Sequence, residues 1–412
     1  MQINYITGYA GTGKSTRLLK HLQSIPLKDY DTTIVLCPTH KAAERLAIKV
    51  PIGIDLRTIH SFLGWIPSIN EAATKVDHID VVAKVGSKIK NLKHLIIDEG
   101  GMMSEEMFME IVALIEELCD FETDDIKIDV YLDPYQLQPV KGRQIQIDED
   151  SRVNLTTQHR SESPDVVALF TKFVHYLEGI NTKDLTITPS ENVVVVSVKE
   201  AIKLFNIGED RLLAYTNEKV GFYNKAIAAH NNITTYKDQL VQLGSLPDLV
   251  KVVDILEDNA LTVEDLIEKF NAKELYMQNS NVSAKYMELE FKSLLELEGI
   301  KFITTLSDKI IPVLPGVDTS YKLSKKIKHS AIADKKNYRY VYALNKAFTM
   351  DYSFASTVHK AQGSEFNVVF IDKYDIQRSI MNGYYGTYAR LMYVAISRAK
   401  KKIYIIDSSI KD

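Results

Sequence analysis

The chain is poor in cysteine. Two among 412 residues, Cys37 and Cys119, exclude a disulfide scaffold and a four-cysteine zinc site. Long apolar runs are missing as well. None approaches the roughly 18 residues of a spanning helix, so no membrane segment is expected. The opening MQINYITGYAG lacks a basic segment followed by a long apolar one, so no secretory leader is expected. Eighteen glycines and eleven prolines are too few for a collagen-like or low-complexity chain. Positive charge is not in excess: 50 bases against 54 acids leave −4, which does not by itself advertise a nucleic-acid binder.

What is present suits a multidomain α/β protein. With 45% apolar residues the chain can bury a large core, and its length points to two to four domains. Short, β-branched, almost purely apolar runs recur at 33–37, 94–97, 128–132, 193–198, 212–215, 368–371 and 403–406. Strands buried on both faces of a parallel sheet read this way. Between them lie helical patterns. The clearest is Pro164–Leu177, with Ser163 as N-cap, Pro164 in the first turn and Gly179 beyond the end.

The strands fall into two groups, which predicts one lobe at 1–150 and a second at 151–234 plus 346–412. Residues 235–345 read as an insertion into the second lobe, and 64–91 as a smaller one in the first. Within the larger insertion, 248–298 carries twelve acids against five bases and looks helical. The stretch 322–346 carries eight bases against one acid, interleaved with Tyr338, Tyr340 and Tyr342. Cations with aromatics suit a nucleic-acid strand, and a solvated face is the bland alternative. The expectation is that Lys322, Lys325, Lys326 and Lys328 face DNA and the acidic half faces away.

Residues 8–15, GYAGTGKS, fit the phosphate-binding loop G-x-x-x-x-G-K-[ST] and stand between a strand-like and a helix-like run. Gly8, Ala10, Gly11, Thr12, Gly13, Lys14, Ser15 and Thr16 are the expected nucleotide contacts. Glycines let successive backbone N–H groups converge on phosphate at a helix N-terminus. Lys14 suits the β- and γ-phosphates and Ser15 suits Mg²⁺. The run LIIDE (95–99) ends a strand in two acids, where α/β folds place ligands. Asp98 suits the Mg²⁺ shell with Ser15, and Glu99 suits activation of water. After a third strand, Gln136 in DPYQLQPV could position that water. Arg160 and Arg398, far along the chain, could stabilise charge on the transferring phosphoryl group. For an arginine taken alone, a surface ion pair is the usual fate.

At this point the chain resembles superfamily 1 helicases. GYAGTGKST, CPTHKAAERL (37–46), RTIHSFLG (57–64), LIIDEG (95–100), YLDPYQLQPV (131–140), LTTQHRS (155–161), LLAYTNEKV (212–220), STVHKAQGSEF (356–366) and YVAISRAKKKIYII (393–406) stand in the order of that family's motifs. The PTHKAA and STVHKAQG forms resemble the RecD/Dda branch, superfamily 1B. The resemblance implies two RecA-like lobes with ATP and Mg²⁺ between them. It also implies 5′ to 3′ translocation on single-stranded DNA and activity at forks. It assigns catalytic roles to Lys14, Asp98, Glu99, Gln136, Arg160 and Arg398, and a ribose contact to Glu365. Pro38, Thr39, His40, Thr58 and His60 resemble strand contacts of the first lobe, and Thr357, His359 and Lys360 those of the second. Packed histidines at 60 and 359, or Thr39 as an N-cap, are the bland alternatives.

Three departures stand out. The Gln-containing segment that reads adenine in relatives is not found before the loop, which leaves base choice open. Gly100–Ser104 holds an extra residue, and Leu132 replaces a usual glycine. The acidic part of the large insertion does not resemble the small β-barrel of the Dda type. The smaller insertion is expected to meet the fork, with Trp65 on a base or in the core. A cytoplasmic monomer is expected (in the host's cytoplasm, if phage-encoded), with replication or recombination proteins as partners. A P-loop kinase of a nucleotide or small metabolite would explain Lys14 and Asp98 but leaves the later motifs idle. A DNA-binding subunit with vestigial ATPase motifs would not need Lys14, Asp98, Glu99 and Arg398 intact.

Overall fold

The computed structural model describes residues 1–66, 74–75, 89–119, 126–139, 142–157, 159–180, 185–243, 249–256, 301–305, 310–315, 348–382 and 385–410. The side chains of 40, 41, 44 and 45 and of several strand residues lie outside that description, as do the side chain of Trp65 and the lysines of 322–346.

Strands β1 (Gln2–Gly8), β2 (Thr33–Cys37), β3 (Asp55–Thr58), β6 (His94–Ile97), β7 (Lys127–Leu132) and β8 (Arg152–Leu155) form one sheet in the order β3-β2-β6-β7-β1-β8. Every adjacent pair is parallel. Helices α1 (Lys14–Ser24), α2 (His40–Ala47), α3 (Ile59–Phe62) and α4 (Glu105–Leu118) follow β1, β2, β3 and β6. Both sheet faces are covered, which is why these strands lack alternation. One face packs Leu36, Leu95, Ile97, Ile128 and Val130 with Phe108, Ile111 and Ile115 of α4. The other packs Ile6, Val35, Ile96 and Tyr131 against Leu18 and Leu22 of α1. Two short strands, β4 (Trp65–Ile66) and β5 (Thr74–Lys75), pair antiparallel inside the smaller insertion.

Helix α5 is Pro164–Leu177, capped by the Ser163 hydroxyl, which accepts from the Val166 N–H, with Gly179 left-handed beyond its end. A second, five-stranded sheet is drawn from β9 (Val193–Val196), β10 (Asp210–Ala214), β16 (Ala355–Thr357), β17 (Phe366–Asp372) and β18 (Ala399–Ile406). Helices α6 (Val198–Leu204), α7 (Asn217–His230), α8 (Lys373–Gln377) and α9 (Tyr385–Ile396) accompany it. The fold is therefore two parallel-sheet α/β regions, as the sequence predicts. By backbone contacts the chain divides into one compact unit of Met1–Val195 with Val358–Ile405 and another of Val196–Thr357 with Ile406–Asp412.

The large insertion departs from its sequence reading. Strands β11 (Leu240–Leu243), β12 (Leu249–Leu256), β13 (Lys301–Thr305), β14 (Ile310–Pro315) and β15 (Phe348–Tyr352) close into a barrel. Val241, Leu243, Val252, Ile303, Val313 and Met350 fill its core. The acidic stretch was expected to be helical and unlike a small β-barrel, and this is corrected for 249–256, which is a strand of the barrel. Long intervening segments dilute these five short strands. The acid-rich stretch, most of which lies outside the described residues, dominates the composition.

Candidate functional site

In a parallel sheet all carboxyl ends lie along one edge. The loops after β1, β6 and β7 are thus neighbours by strand order, and those after β2 and β3 continue the row.

After β1 the chain turns through Gly11 (φ 85°) and Gly13 (φ 86°), a left-handed backbone that glycine adopts without a Cβ clash. Gly8 is required for space. A Cβ there would lie 2.4 Å from the Thr12 hydroxyl and 2.8 Å from the Leu155 carbonyl. Thr12 is buried and donates to the Tyr9 carbonyl at 2.8 Å. Lys14 opens α1, and its ammonium donates to the Gly8 and Tyr9 carbonyls at 2.6 and 2.8 Å, with an Asp133 oxygen at 3.9 Å. Burial pulls its pKa down, while the Asp133 and Glu99 carboxylates oppose that. Ser15 and Thr16 are exposed in the first turn.

Asp98 follows β6, and its N–H donates to the Leu36 carbonyl at 2.9 Å. Burial, then the adjacent Glu99 charge, push its carboxyl up to about 7. Two crowded carboxylates with a hydroxyl-bearing helix start nearby are a donor set suited to a hard divalent cation. Glu99 has a left-handed backbone (φ 51°), and its carboxylate accepts from Gln136 Nε2 at 2.9 Å. Gln136 is buried, with Oε1 lacking a hydrogen-bond partner among the described residues.

The late arginines reach this neighbourhood inside the same compact unit. Arg160 donates to the Ser397 carbonyl at 3.1 Å and pairs with Glu365 at 3.0 Å. Lys400 holds the other Glu365 oxygen at 3.1 Å. Burial opposes ionisation of Glu365, and Arg160 with Lys400 outweighs it, so its pKa lies low. Arg398 is 2% exposed and donates to Val394 and Ser364 carbonyls and to the Ser397 hydroxyl. Burial, then Arg160, press its pKa down to about 10, and Glu99 opposes them.

Two residues here, Tyr393 and Arg390, were not singled out from the sequence. The buried Tyr393 hydroxyl accepts from the Ala10 N–H at 2.8 Å and donates to Asp133 at 2.6 Å. Arg390 donates to the Pro134 and Gln136 carbonyls, both at 2.7 Å. Tyr393 and Arg390 lie on α9, where an aromatic in an apolar helix reads as core. The available signal was Arg390 and the Tyr393 hydroxyl on an otherwise apolar stretch (388–396), with Tyr393 opening the motif at 393–406.

The expected strand contacts lie elsewhere. Cys37 and Thr58 are register partners, so Pro38–Thr39 and Thr58–His60 leave neighbouring strand ends. Thr39 and Thr58 are N-caps, accepting from Ala42 and Ser61 N–H groups at 3.2 Å. Pro38 is half-buried and Thr58 is buried, while Thr39 and His60 are exposed. His40 begins α2, with its side chain outside the description. Thr357 is buried on β16, and His359 and Lys360 are exposed in the turn that follows.

Residues 1–175 match the AAA domain family model, and residues 352–406 match the UvrD-like helicase C-terminal domain. A protein of Methanocaldococcus jannaschii is 21% identical over 98% of this chain and 36% of its own length. An Acanthamoeba polyphaga mimivirus protein is 32% identical over 34% of this chain and 29% of its own length. The chain thus spans about a third of the curated relatives it matches. Among solved structures, a Pif1 helicase from Bacteroides in complex with ADP-AlF3 and single-stranded DNA aligns with 100% of this chain and 89% of its own. Its identity is 15% and its TM-score 0.48. Pif1 from Candida albicans aligns with 98% and 91%, at 15% identity and TM-score 0.49.

Proposed function

We propose that the chain, a superfamily 1B helicase of the RecD/Dda type, hydrolyses ATP to move 5′ to 3′ along single-stranded DNA and open forks. The observation that carries this reading is the Ala10–Tyr393–Asp133 link. It ties the phosphate-binding loop to a helix 383 residues later, beside Arg160 and Arg398. A P-loop kinase would leave Arg160, Arg398 and the segment 356–366 without a role.

Each residue then has a role its surroundings support. Lys14 leaves the loop carbonyls to neutralise phosphate oxygens. Ser15 and Asp98 would hold Mg²⁺, which supplies charge neutralisation between the phosphates. Glu99, oriented by Gln136, accepts a proton from the attacking water. Arg160 and Arg398 balance negative charge on the phosphoryl group, and Glu365 with Lys400 positions Arg160. Glu365 was expected on the nucleotide ribose, and its two cationic partners favour the positioning role. The residues after β2 and β3, with Thr357, His359 and Lys360, are the proposed strand contacts. The proposed lobes are 1–150 and 151–234 plus 346–412, with 64–91 and 235–345 as accessory insertions. Splitting a base-pair step costs about 1.4 kcal/mol on average, a modest load for one hydrolysis event. Replication, repair or recombination is the proposed setting.

The test is unwinding of duplexes carrying a 5′ or a 3′ single-stranded tail, alongside ATPase with and without single-stranded DNA. Stimulated ATPase and unwinding from the 5′ tail alone are expected. Unwinding from the 3′ tail reverses the polarity, and ATPase indifferent to DNA removes the helicase reading.

A further inference from the structure

Asp129 is out of place by composition. It sits in the middle of β7, 2% exposed, on the strand face that Tyr131 shares beneath α1. A carboxylate in such an apolar layer is costly unless partnered. Its partners come from three other places. Asn4 of β1 donates to Oδ1 at 2.8 Å. On Oδ2 converge His94 Nε2 of β6 at 2.8 Å, Lys127 Nζ at 2.9 Å and His21 Nε2 of α1 at 3.7 Å. The two imidazoles lie 5.0 Å apart, centre to centre. This cluster lies toward the amino ends of β6 and β7, whereas Asp98 and Asp133 follow their carboxyl ends.

We propose that His21, His94 and Asp129 form a site for a divalent transition metal, with Zn²⁺ as the committed ion. The three ligand atoms lie within 4.8 Å of one another. Ligands around a tetrahedral zinc at about 2.0–2.2 Å stand roughly 3.3 Å apart, so small side-chain rotations close the set. Two imidazoles and one carboxylate leave a fourth position for water, and Mg²⁺ would prefer an all-oxygen set.

The surroundings prepare the ligands. His21 Nδ1 lies 3.0 Å from the Tyr131 hydroxyl, which fixes the ring and leaves Nε2 facing Asp129. Burial, then His94, lower the His21 pKa, which disfavours the charged ring. Asp129 stays ionised well below the usual carboxylate range. Burial opposes this, but hydrogen bonds from His94, Lys127 and Asn4 outweigh it. An ion can enter, since the His21 and His94 side chains are 23% and 16% exposed. The Lys127 side chain is 43% exposed and can swing off Oδ2 when a cation replaces its charge. A bound ion would pin α1, the helix that Lys14 begins, to strands β6 and β7.

The test uses the full chain with any affinity tag removed. Zn²⁺ binding is measured by equilibrium dialysis with metal analysis, and thermal unfolding is followed with Zn²⁺ or with a chelator. One equivalent is expected to bind, with a raised unfolding temperature. Both effects should vanish in His21→Gln/His94→Gln. Tyr131→Phe removes only the hydroxyl behind His21 and should weaken binding by about 10–100-fold. If the double variant does not fold, His21→Gln alone is compared through the visible spectrum of bound Co²⁺, whose intense low-coordination bands should disappear. No saturable Zn²⁺ binding overturns the proposal and leaves a buried ion cluster. Equal binding by wild type and the histidine variants overturns it too.

Discussion

Tyr393 carries more of the nucleotide site than its place on an apolar helix announces. Its hydroxyl is shared between the Ala10 N–H and the Asp133 carboxylate. Tyr393→Phe keeps the ring packed on Phe170 but strips a buried N–H and a buried carboxylate of a partner. An unsatisfied buried donor costs about 1–3 kcal/mol. We expect lower thermal stability and slower ATP hydrolysis with secondary structure unchanged. Wild-type hydrolysis and melting would make the hydroxyl incidental. Asp98 gives a pH prediction of known sign. Its folded pKa is raised from 3.8 to about 7 by burial and Glu99, so the folded state holds the proton more tightly. That contribution is full below the unfolded value and is lost as pH rises through the folded one. Between about pH 4 and pH 7 the metal-free protein should lose stability as pH rises. Asp98→Asn should flatten this slope. An unchanged slope in Asp98→Asn would place the effect elsewhere.

At the scale of elements, local chemistry and packing agree. The runs at 33–37 and 94–97 are strands with those same limits, because β-branched side chains buried on both faces need no alternation. The Ser163–Pro164 start and the Gly179 end of α5 were equally readable. Two glycines separate space from backbone geometry. At Gly8 an added Cβ meets a hydroxyl and a backbone carbonyl at under 3 Å. At Gly179 it meets nothing within 4 Å, and only the left-handed φ of 75° opposes it. Gly179→Ala should therefore cost about 1 kcal/mol. Gly8→Ala should cost about 1–3 kcal/mol and distort the loop that receives phosphate. Urea unfolding and ATP affinity measured for both variants check this. Equal destabilisation with equal affinity would show that the Gly8 loop tolerates the methyl group.

Across the whole molecule, every residue assigned to nucleotide chemistry, from Lys14 to Arg398, falls within the compact unit Met1–Val195 plus Val358–Ile405. The motif residues were legible because phosphate binding demands fixed residue types at fixed spacing. The barrel was not, because its strands are short and the buried apolar side chains described in its core, from Val241 to Met350, are spread over more than a hundred residues. The two differ in what they do for each other. β11 and β15 are antiparallel neighbours, with Leu243 opposite Met350, so a short turn can join residue 243 to residue 348. Excising 244–347 in this way removes β12, β13 and β14 and leaves the Asn224–Asp351 hydrogen bond available. Leu243 and Met350 then lose their core and must be replaced by polar residues to keep the hairpin soluble. DNA-independent ATP hydrolysis should survive near the wild-type rate, since none of its residues is removed. Duplex unwinding should be lost, because strand separation requires more than turnover. Loss of basal hydrolysis in a variant that keeps its secondary structure would refute this independence and make the barrel part of the nucleotide cycle.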